Sequence, residues 1–175
     1  KQNNLMNHPA VYFWRNIEIE QIKKVMAKYN LSQPILDLGC AEGQIADLLF
    51  RGKGIVGLDN NLFFLEQNQY KDTYRKLVNA SACSMPFKMQ SFGLVFSNSV
   101  IEHILELDKV LNEVSRVLKI GGKFIFTAPS QKFKEYLLFS WVRGYGNWRN
   151  RWLSHYHCYS HNEWAKFLLK HNLSL

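Results

Sequence analysis

The sequence predicts an α/β fold in which a doubly wound, mostly parallel sheet has helices on both faces. Short apolar segments that suit buried strands alternate with amphipathic segments of helical period between residues 34 and 130. The first strand runs into a turn that contains glycines, and the second strand ends on an acidic residue. Strands that alternate with helices of this length pair in parallel through right-handed crossovers, so helices cover both faces.

The helices are predicted from apolar residues that recur every three or four positions. In the first helix these residues are Ile17, Ile22, Val25, Met26 and Tyr29. The predicted helices span residues 14–29, 44–51, 62–69, 105–118 and 162–171.

The strands are predicted from short apolar runs that glycine or proline residues bound. Gly121 and Gly122 end the fourth helix and separate it from the next strand, which Pro129 closes. The predicted strands span residues 34–39, 54–59, 74–79, 92–97 and 123–128, the third being the weakest. The tripeptide at 173–175 predicts the start of a sixth strand.

The chain of 175 residues is expected to form a single domain, because a chain of this length buries roughly 70% of its unfolded surface. Within it we distinguish an N-terminal helical segment at 1–33 and a ligand-binding core at 34–130. An insertion at 131–161 predicts a substrate lid, since loops of this length are commonly functional. A final helix at 162–175 is expected to be truncated.

Cysteine content and hydropathy exclude several classes of protein. The three cysteines include no CxxC pair, which argues against a disulfide framework and predicts a reducing, cytoplasmic location. No run of 18 apolar residues is present, so we expect no membrane span. The first 30 residues lack a basic start followed by an apolar block, so we expect no signal peptide.

The turn after the first predicted strand and the end of the second predict a nucleoside-binding site. Gly39 and Gly43 lie four residues apart with Ala41 between them, and small residues let the backbone approach a ligand. Asp59 ends the second strand, where a carboxylate can accept hydrogen bonds from both ribose hydroxyls. Nicotinamide dehydrogenases share these features, but they use GxGxxG, which this chain lacks.

Five ordered motifs extend this pattern: LDLGCAEG, GLDNN, MPF, FGLVFSNSVIEHI and VLKIGGKFIFTAPS. Together they resemble the class I S-adenosylmethionine-dependent methyltransferases of the type 11 group, over residues 34–130 and again over 162–173. The resemblance implies a Rossmann-like fold with S-adenosylmethionine as cofactor. It also implies seven strands, of which the sequence supplies five, so the C-terminal strands are expected to be missing.

The resemblance implies a set of cofactor-binding residues. Those along the methionine part of the cofactor would be Asp37, Gly39, Cys40, Ala41 and Gly43. Asp59 would hold the ribose, Asn60 would flank the adenine, and Asn98 would lie near the sulfonium. Ser81 and Ala82 complete the set.

Two positions depart from the pattern of that group. The group has an acidic residue at the position of Ser81, which faces the adenine amino group. Ser81 can accept one hydrogen bond without the help of a negative charge, so cofactor affinity is expected to be modest. The group has an aspartate at the position of Gly93, and a glycine there is interpreted as an accommodation of packing at a sheet edge.

No catalytic residue is assigned from the sequence. Methyl transfer is an in-line displacement that depends mainly on positioning, and a base is needed only if the acceptor must lose a proton. His103, at the mouth of the fourth strand, is a candidate for that role.

The segment HYHCYSH precedes the last predicted helix. His155, His157, Cys158 and His161 have the spacing of metal ligands, but no second Cys/His cluster accompanies them, so no metal is expected. The segment resembles an HxHxYS sequence in relatives, in which Ser160 and Glu163 predict a capping box. The predicted lining of the acceptor pocket is His103, His155, His157 and Tyr159.

The net charge of +8 is concentrated in residues 131–175, which contain seven basic and two acidic residues. Aromatic and basic residues interleave there: Phe139, Trp141, Arg143, Tyr145, Trp148, Arg149, Arg151, Trp152, Tyr156, Tyr159 and Trp164. Three interpretations stay open: an RNA-binding surface, a membrane-surface segment that admits a lipid-linked or phosphate-bearing acceptor, and an ordinary substrate lid.

The favoured function is methyl transfer to a small-molecule or lipid-linked acceptor. The alternative is an inactive methyltransferase-like module that binds RNA or a partner protein through its basic rim. Strong salt-dependent RNA binding without cofactor binding would favour that alternative.

Overall fold

A computed structural model of the chain describes residues 9–132 and 155–174. The helices are α1 (Pro9–Met26), α2 (Gln44–Phe50), α3 (Leu62–Glu66), α4 (Leu107–Val117) and α5 (His161–Lys170). The strands are β1 (Ile35–Leu38), β2 (Ile55–Asp59), β3 (Tyr74–Asn79), β4 (Phe92–Asn98) and β5 (Leu118–Thr127). Within the described ranges, no helix has both the length and the apolar composition that a bilayer span requires.

The five strands form one sheet in the order β3-β2-β1-β4-β5, and every neighbouring pair is parallel. The chain therefore adds strands to one side of β1 and then crosses to the other side with β4. A crevice opens beyond the carboxyl ends of β1 and β4, where the strand order reverses. The predicted doubly wound parallel sheet is confirmed.

Side chains on the two faces of the sheet belong to two separate apolar clusters, because successive strand residues point to opposite faces. Leu36 and Leu38 of β1 face the cluster that includes α4 and α5. Ile35 faces the other cluster, which includes Ile22 of α1 and Phe50 of α2. Both faces of the central strands are buried, which explains their continuous apolar sequence.

Helix α1 differs from its prediction in both its bounds and its buried face. It begins at Pro9 and ends at Met26, so it starts earlier and stops three residues before the predicted end. Ile19 and Ile22 are buried, whereas Ile17 is 39% and Val25 is 40% exposed. The apolar spacing was compatible with more than one face, and packing against the sheet selected the one that contains Ile19.

The glycine pair Gly121-Gly122 does not separate α4 from the last strand, so that prediction is wrong. Strand β5 begins at Leu118, directly after α4, and runs through both glycines. Its register to β4 shifts there, since Phe92 pairs with Leu118 but Leu94 pairs with Lys123. The glycines therefore accommodate an irregular stretch within the strand, a common role for glycine in sheets.

The prediction for the start of α5 is confirmed, whereas the prediction for the residues after it is wrong. The predicted capping box is confirmed, because the Ser160 hydroxyl accepts from the Glu163 N–H while the Glu163 carboxylate accepts from the Ser160 N–H. The predicted sixth strand does not start at Leu173 or Ser174, neither of which is in a strand. Instead, the Leu173 N–H donates to the Leu168 carbonyl over 2.9 Å and closes the helix end.

Gly93 lies in an interior strand, because β4 is flanked by β1 and β5, and not at an edge as predicted. A Cβ atom built on Gly93 would overlap the Ser32 hydroxyl and backbone carbonyl oxygens and would lie 2.7 Å from the Ser32 carbonyl carbon. The Gly93 N–H also donates to the Pro34 carbonyl over 2.8 Å. A packing constraint therefore accounts for the glycine.

We expect Gly93→Ala to lower the free energy of unfolding by about 1–3 kcal/mol, the usual cost of overpacking a tight site. Urea unfolding followed by circular dichroism measures this change. Ser32→Gly serves as the matched background, because it removes the hydroxyl but leaves the backbone oxygen in place. If Gly93→Ala lowers the free energy of unfolding by less than about 0.5 kcal/mol, both with and without Ser32→Gly, the packing constraint at Gly93 would be contradicted.

Candidate functional site

A cavity of about 590 Å³ lies at the carboxyl ends of β1, β2 and β4. This volume lies within the range of small-molecule sites. The cavity is lined by all ten residues predicted to bind the cofactor: Asp37, Gly39, Cys40, Ala41, Gly43, Asp59, Asn60, Ser81, Ala82 and Asn98. The fold thus brings together residues from four separate stretches of sequence.

The turn after β1 is held close to its neighbours. The Gly39 and Cys40 N–H groups both donate to the Leu58 carbonyl, over 2.7 and 3.1 Å. Gly39 has a φ of 75°, and a Cβ there would lie 2.6 Å from a methyl carbon of Val100. Gly43, with a φ of 88°, would clash with Asn68 and Tyr74 in the same way. Packing within the protein therefore requires glycine at both positions.

Asp59 joins the turn after β1 to the start of α3. Its Oδ2 accepts from the Ala41 N–H over 2.9 Å, and its Oδ1 accepts from the Asn61 N–H over 2.8 Å. Ala41 has a φ of 43°, a left-handed conformation that costs a residue with a side chain about 1–2 kcal/mol. Because each carboxylate oxygen has a second lone pair, Asp59 can still accept from ligand hydroxyls.

Asp37 is buried at the floor of the cavity and accepts a hydrogen bond from the Tyr74 hydroxyl over 2.6 Å. Burial raises the pKa of Asp37 to about 7, the Tyr74 hydrogen bond opposes that rise, and the charge of Asp59 adds to it. Burial also raises the pKa of Cys40, so its thiol is protonated and does not act as a nucleophile. The sequence indicated Tyr74 only as the start of a weak strand.

Asn98 lies at the end of β4 and is held by three side chains. Its amide nitrogen donates to Glu18 Oε1 over 2.8 Å and to Thr127 Oγ1 over 2.7 Å. Its amide oxygen accepts from Arg15 over 3.3 Å, and Arg15 also pairs with Glu18 over 2.6 Å. Helix α1 therefore closes one side of the cavity with Arg15, a lining residue that the sequence did not indicate.

The opposite side of the cavity, by the start of α3, is lined by Asn60, Asn61, Phe64 and Ser81. Ser81 is exposed, and its hydroxyl accepts from the Cys83 N–H over 3.1 Å. The Ser81 hydroxyl can also donate, so a hydrogen bond to a ligand remains available. Phe64 supplies an aromatic wall that the sequence analysis missed, since it was interpreted only as part of an amphipathic helix.

The four residues predicted to line the acceptor pocket separate into two groups. His103 lines the cavity, and the His155 ring lies 4.9 Å from the His103 ring, centroid to centroid. His155, His157 and Tyr159 are not among the lining residues. The His157 ring bonds to the Ile104 carbonyl over 2.8 Å and to the Tyr159 hydroxyl over 3.1 Å, which supports the wall from behind.

The aromatic and basic segment that predicted a lid or an RNA-binding surface falls mainly at residues 133–154. These residues lie outside the described ranges. Of its aromatic residues, Tyr156, Tyr159 and Trp164 are described, and Trp164 is buried against Tyr159 and Phe126. For Trp164, packing accounts for the aromatic side chain.

Comparisons with known proteins place this geometry among methyltransferases. A family model described as a methyltransferase domain matches residues 36–126. The chain is 39% identical over 108 residues to the malonyl-[acyl-carrier protein] O-methyltransferase of Legionella pneumophila, covering 58% of this chain and 38% of that protein. It is 32% identical over 100 residues to the sterol 24-C-methyltransferase of Pneumocystis carinii, covering 53% of this chain and 26% of that protein.

Solved structures agree on the fold. The YcgJ protein of Bacillus subtilis superposes with a TM-score of 0.68 at 24% identity, covering 89% of this chain and 68% of that one. A candidate sarcosine dimethylglycine methyltransferase from Galdieria sulphuraria gives 0.72 at 19%, covering 90% and 62%. At these identities the likeness shows the fold alone. The chain spans only about a quarter to two fifths of the two curated relatives named above.

We expect the contribution of Asp37 to the free energy of unfolding to fall as pH rises from about 4 to about 7, because folded Asp37 keeps its proton until about 7 and an unfolded aspartate loses it near 3.8. Asp37→Asn should remove this part of the pH dependence, and Tyr74→Phe should extend the fall above pH 7. Urea unfolding across this pH range measures both changes. Asp72→Asn, at an exposed carboxylate, is the matched control; an Asp37→Asn profile parallel to the unsubstituted one would contradict the assignment.

Proposed function

The chain belongs to the methyltransferase domain family whose model matches residues 36–126, and from this premise we propose that it transfers a methyl group from S-adenosylmethionine to a small-molecule or lipid-linked acceptor. The observation on which this proposal rests is the close turn from Gly39 to Gly43 with the Asp59 carboxylate beside it, at the point where the strand order reverses. Ligands of open α/β sheets bind at this point.

The residues of the cavity fit the cofactor. The glycines at 39 and 43 leave no room for side chains of their own, so the turn presents backbone to the cavity. Asp59 would accept from the ribose hydroxyls, and Asn60, Phe64 and Ser81 would surround the adenine. The methionine portion would extend past Cys40 and Ala41 toward Asn98.

The chain would accelerate the reaction mainly by positioning. When bound, S-adenosylmethionine supplies an electrophilic methyl group on a sulfonium. Asn98 is fixed by Glu18, Thr127 and Arg15, so it gives the cavity a rigid polar wall where the methyl group would be transferred. Holding donor and acceptor in line contributes a large part of the rate acceleration in such displacements.

His103 is the candidate base of the acceptor side. It lines the cavity at the turn that follows β4, so it could take a proton from an acceptor hydroxyl or amine. His155 lies next to it, and burial followed by the charge of His103 lowers the pKa of His155. A neutral His155 beside His103 keeps an unprotonated nitrogen on this side of the cavity.

The acceptor class is supported by the relatives, whose names refer to malonyl-[acyl-carrier protein] and to sterols. Neither name refers to a nucleic acid, which favours a small-molecule or lipid-linked acceptor over nucleic acid. We propose a cytoplasmic location from the cysteine content, because three cysteines without a CxxC pair are typical of a reducing compartment. In the part of the chain that the structure describes, we find no observation that favours the inactive RNA- or protein-binding alternative.

Isothermal titration calorimetry with S-adenosylhomocysteine tests the proposal directly. We expect binding, and Asp59→Ala should weaken it by about 1–3 kcal/mol, the scale for losing a hydrogen bond to a charged group. Asp72→Ala, a change at an exposed carboxylate, should leave binding unchanged.

A second variant separates ligand contact from loop structure, because Asp59 also bonds to the Ala41 and Asn61 N–H groups. Asp59→Asn keeps the shape and one acceptor oxygen, so its binding should lie between those of the unsubstituted protein and Asp59→Ala, with a similar melting temperature. Absence of binding at about millimolar ligand in a folded protein would overturn the cofactor assignment.

A further inference from the structure

Two distant segments meet beside the acceptor side of the cavity. Glu102 and His103 lie in the short 3₁₀ turn that follows β4, and His155 lies in the segment before α5. The Tyr156 N–H donates to the Glu102 carbonyl over 2.7 Å, and His157 bonds to the Ile104 carbonyl over 2.8 Å. Hydrogen bonds on both sides of the turn therefore hold His155 against Glu102 and His103.

The three side chains converge on one point. A carboxylate oxygen of Glu102 and one ring nitrogen each of His103 and His155 all lie within 4.8 Å of one another. Ligands at about 2.0–2.2 Å from a tetrahedral ion lie about 3.4 Å apart, so side-chain adjustments of about 1 Å would complete a coordination sphere. This distance is within the reach of ordinary side-chain rotations.

The surroundings of the Glu102 side chain are a second observation, independent of the distances among the three side chains. Its side chain is almost fully buried, with 1% of the residue exposed, and Oε2 has no hydrogen-bond partner among the described residues. Its Oε1 lies 3.9 Å from His103 Nε2, which is beyond hydrogen-bond distance. A buried carboxylate oxygen without a partner is costly, and coordination to a cation would remove that cost.

The imidazole rings of His103 and His155 are also suitable ligands for a cation. Imidazole nitrogens are common ligands of divalent transition-metal ions, and the His155 ring lies 4.9 Å from the His103 ring, centroid to centroid. His103 lines the cavity, so an ion bound to it would lie at the cavity wall. The Glu102 carboxylate would balance part of the charge of the ion.

We propose that Glu102, His103 and His155 bind a divalent first-row transition-metal ion at the wall of the cavity. Two imidazoles and one carboxylate are a donor set for zinc, iron or cobalt ions, whereas magnesium prefers oxygen ligands alone. This site differs from the cluster that the sequence suggested, because His157 bonds to Ile104 and Tyr159, and His161 is exposed on α5.

Three protein ligands leave a coordination position open. An acceptor hydroxyl bound there would release its proton to solvent water more easily and become a better nucleophile, so the ion would take over from His103, whose ring nitrogen it occupies, the activation of the acceptor. This use of the ion rests on the proposed methyl transfer, whereas the binding site itself does not.

The experiment is a titration of the purified, tag-free protein with Co²⁺, followed by visible d–d absorption and by competition with Zn²⁺. We expect one ion per chain, and Mg²⁺ should not displace it. Glu102→Gln and His155→Gln should each weaken binding by at least about tenfold, since loss of even an outer-sphere partner costs about 10–100-fold. Cys158→Ser and His161→Gln are the matched controls from the neighbouring sequence and should bind Co²⁺ like the unsubstituted chain.

Circular dichroism and calorimetry with S-adenosylhomocysteine accompany each titration. If Glu102→Gln fails to fold, His103→Gln replaces it, because the His103 side chain is 39% exposed. No stoichiometric Co²⁺ binding, binding that Cys158→Ser or His161→Gln abolishes, or binding that survives both ligand changes would overturn the proposal. Metal binding without S-adenosylhomocysteine binding would support the metal site and contradict the proposed function. S-adenosylhomocysteine binding without metal binding would contradict only the metal site.

Discussion

The geometry of the site depends on the two hydrogen bonds that the Asp59 carboxylate accepts. Its two oxygens bond to the N–H groups of Ala41 and Asn61, so one side chain fixes both the turn after β1 and the start of α3. The Ala41 backbone is held in a left-handed conformation by the same contact. Because Asp59 ends β2, beside β1 in the sheet, strand pairing places this carboxylate next to the turn after β1.

Buried acidic groups make the cavity electrostatically unusual. Asp37 lies at its floor and Glu102 behind its wall, and burial raises the pKa of both carboxyl groups. The two differ in their partners, since Asp37 accepts from Tyr74 whereas Glu102 Oε2 has no partner in the described ranges. Buried polar groups are normally hydrogen-bonded, and Asp37 follows this rule whereas Glu102 Oε2 does not, which is why the proposed metal site includes Glu102 and not Asp37.

Much of the fold could be predicted because the central strands β1, β2 and β4 are buried on both faces and the helices on one. Continuous apolar runs and helical periods both follow from that burial. The prediction was wrong at Gly121-Gly122, where the strand accommodates an irregular pairing with β4, a constraint that local sequence does not contain. In α1, Ile22 is buried as its helical spacing predicts, whereas Ile17 and Val25 are exposed, because packing against the sheet selected one of the faces that the apolar residues allow.

The sequence by itself determined the order of the strands along the chain, the glycine turn and the acidic end of β2. Each of these depends on local conformational preference and on short spacings. Tertiary structure alone decided that Arg15 and Glu18 hold Asn98, that Tyr74 reaches Asp37, and that His155 meets Glu102. These contacts join residues that are far apart in sequence, so they depend on how helices and loops pack over the sheet, which no local pattern specifies.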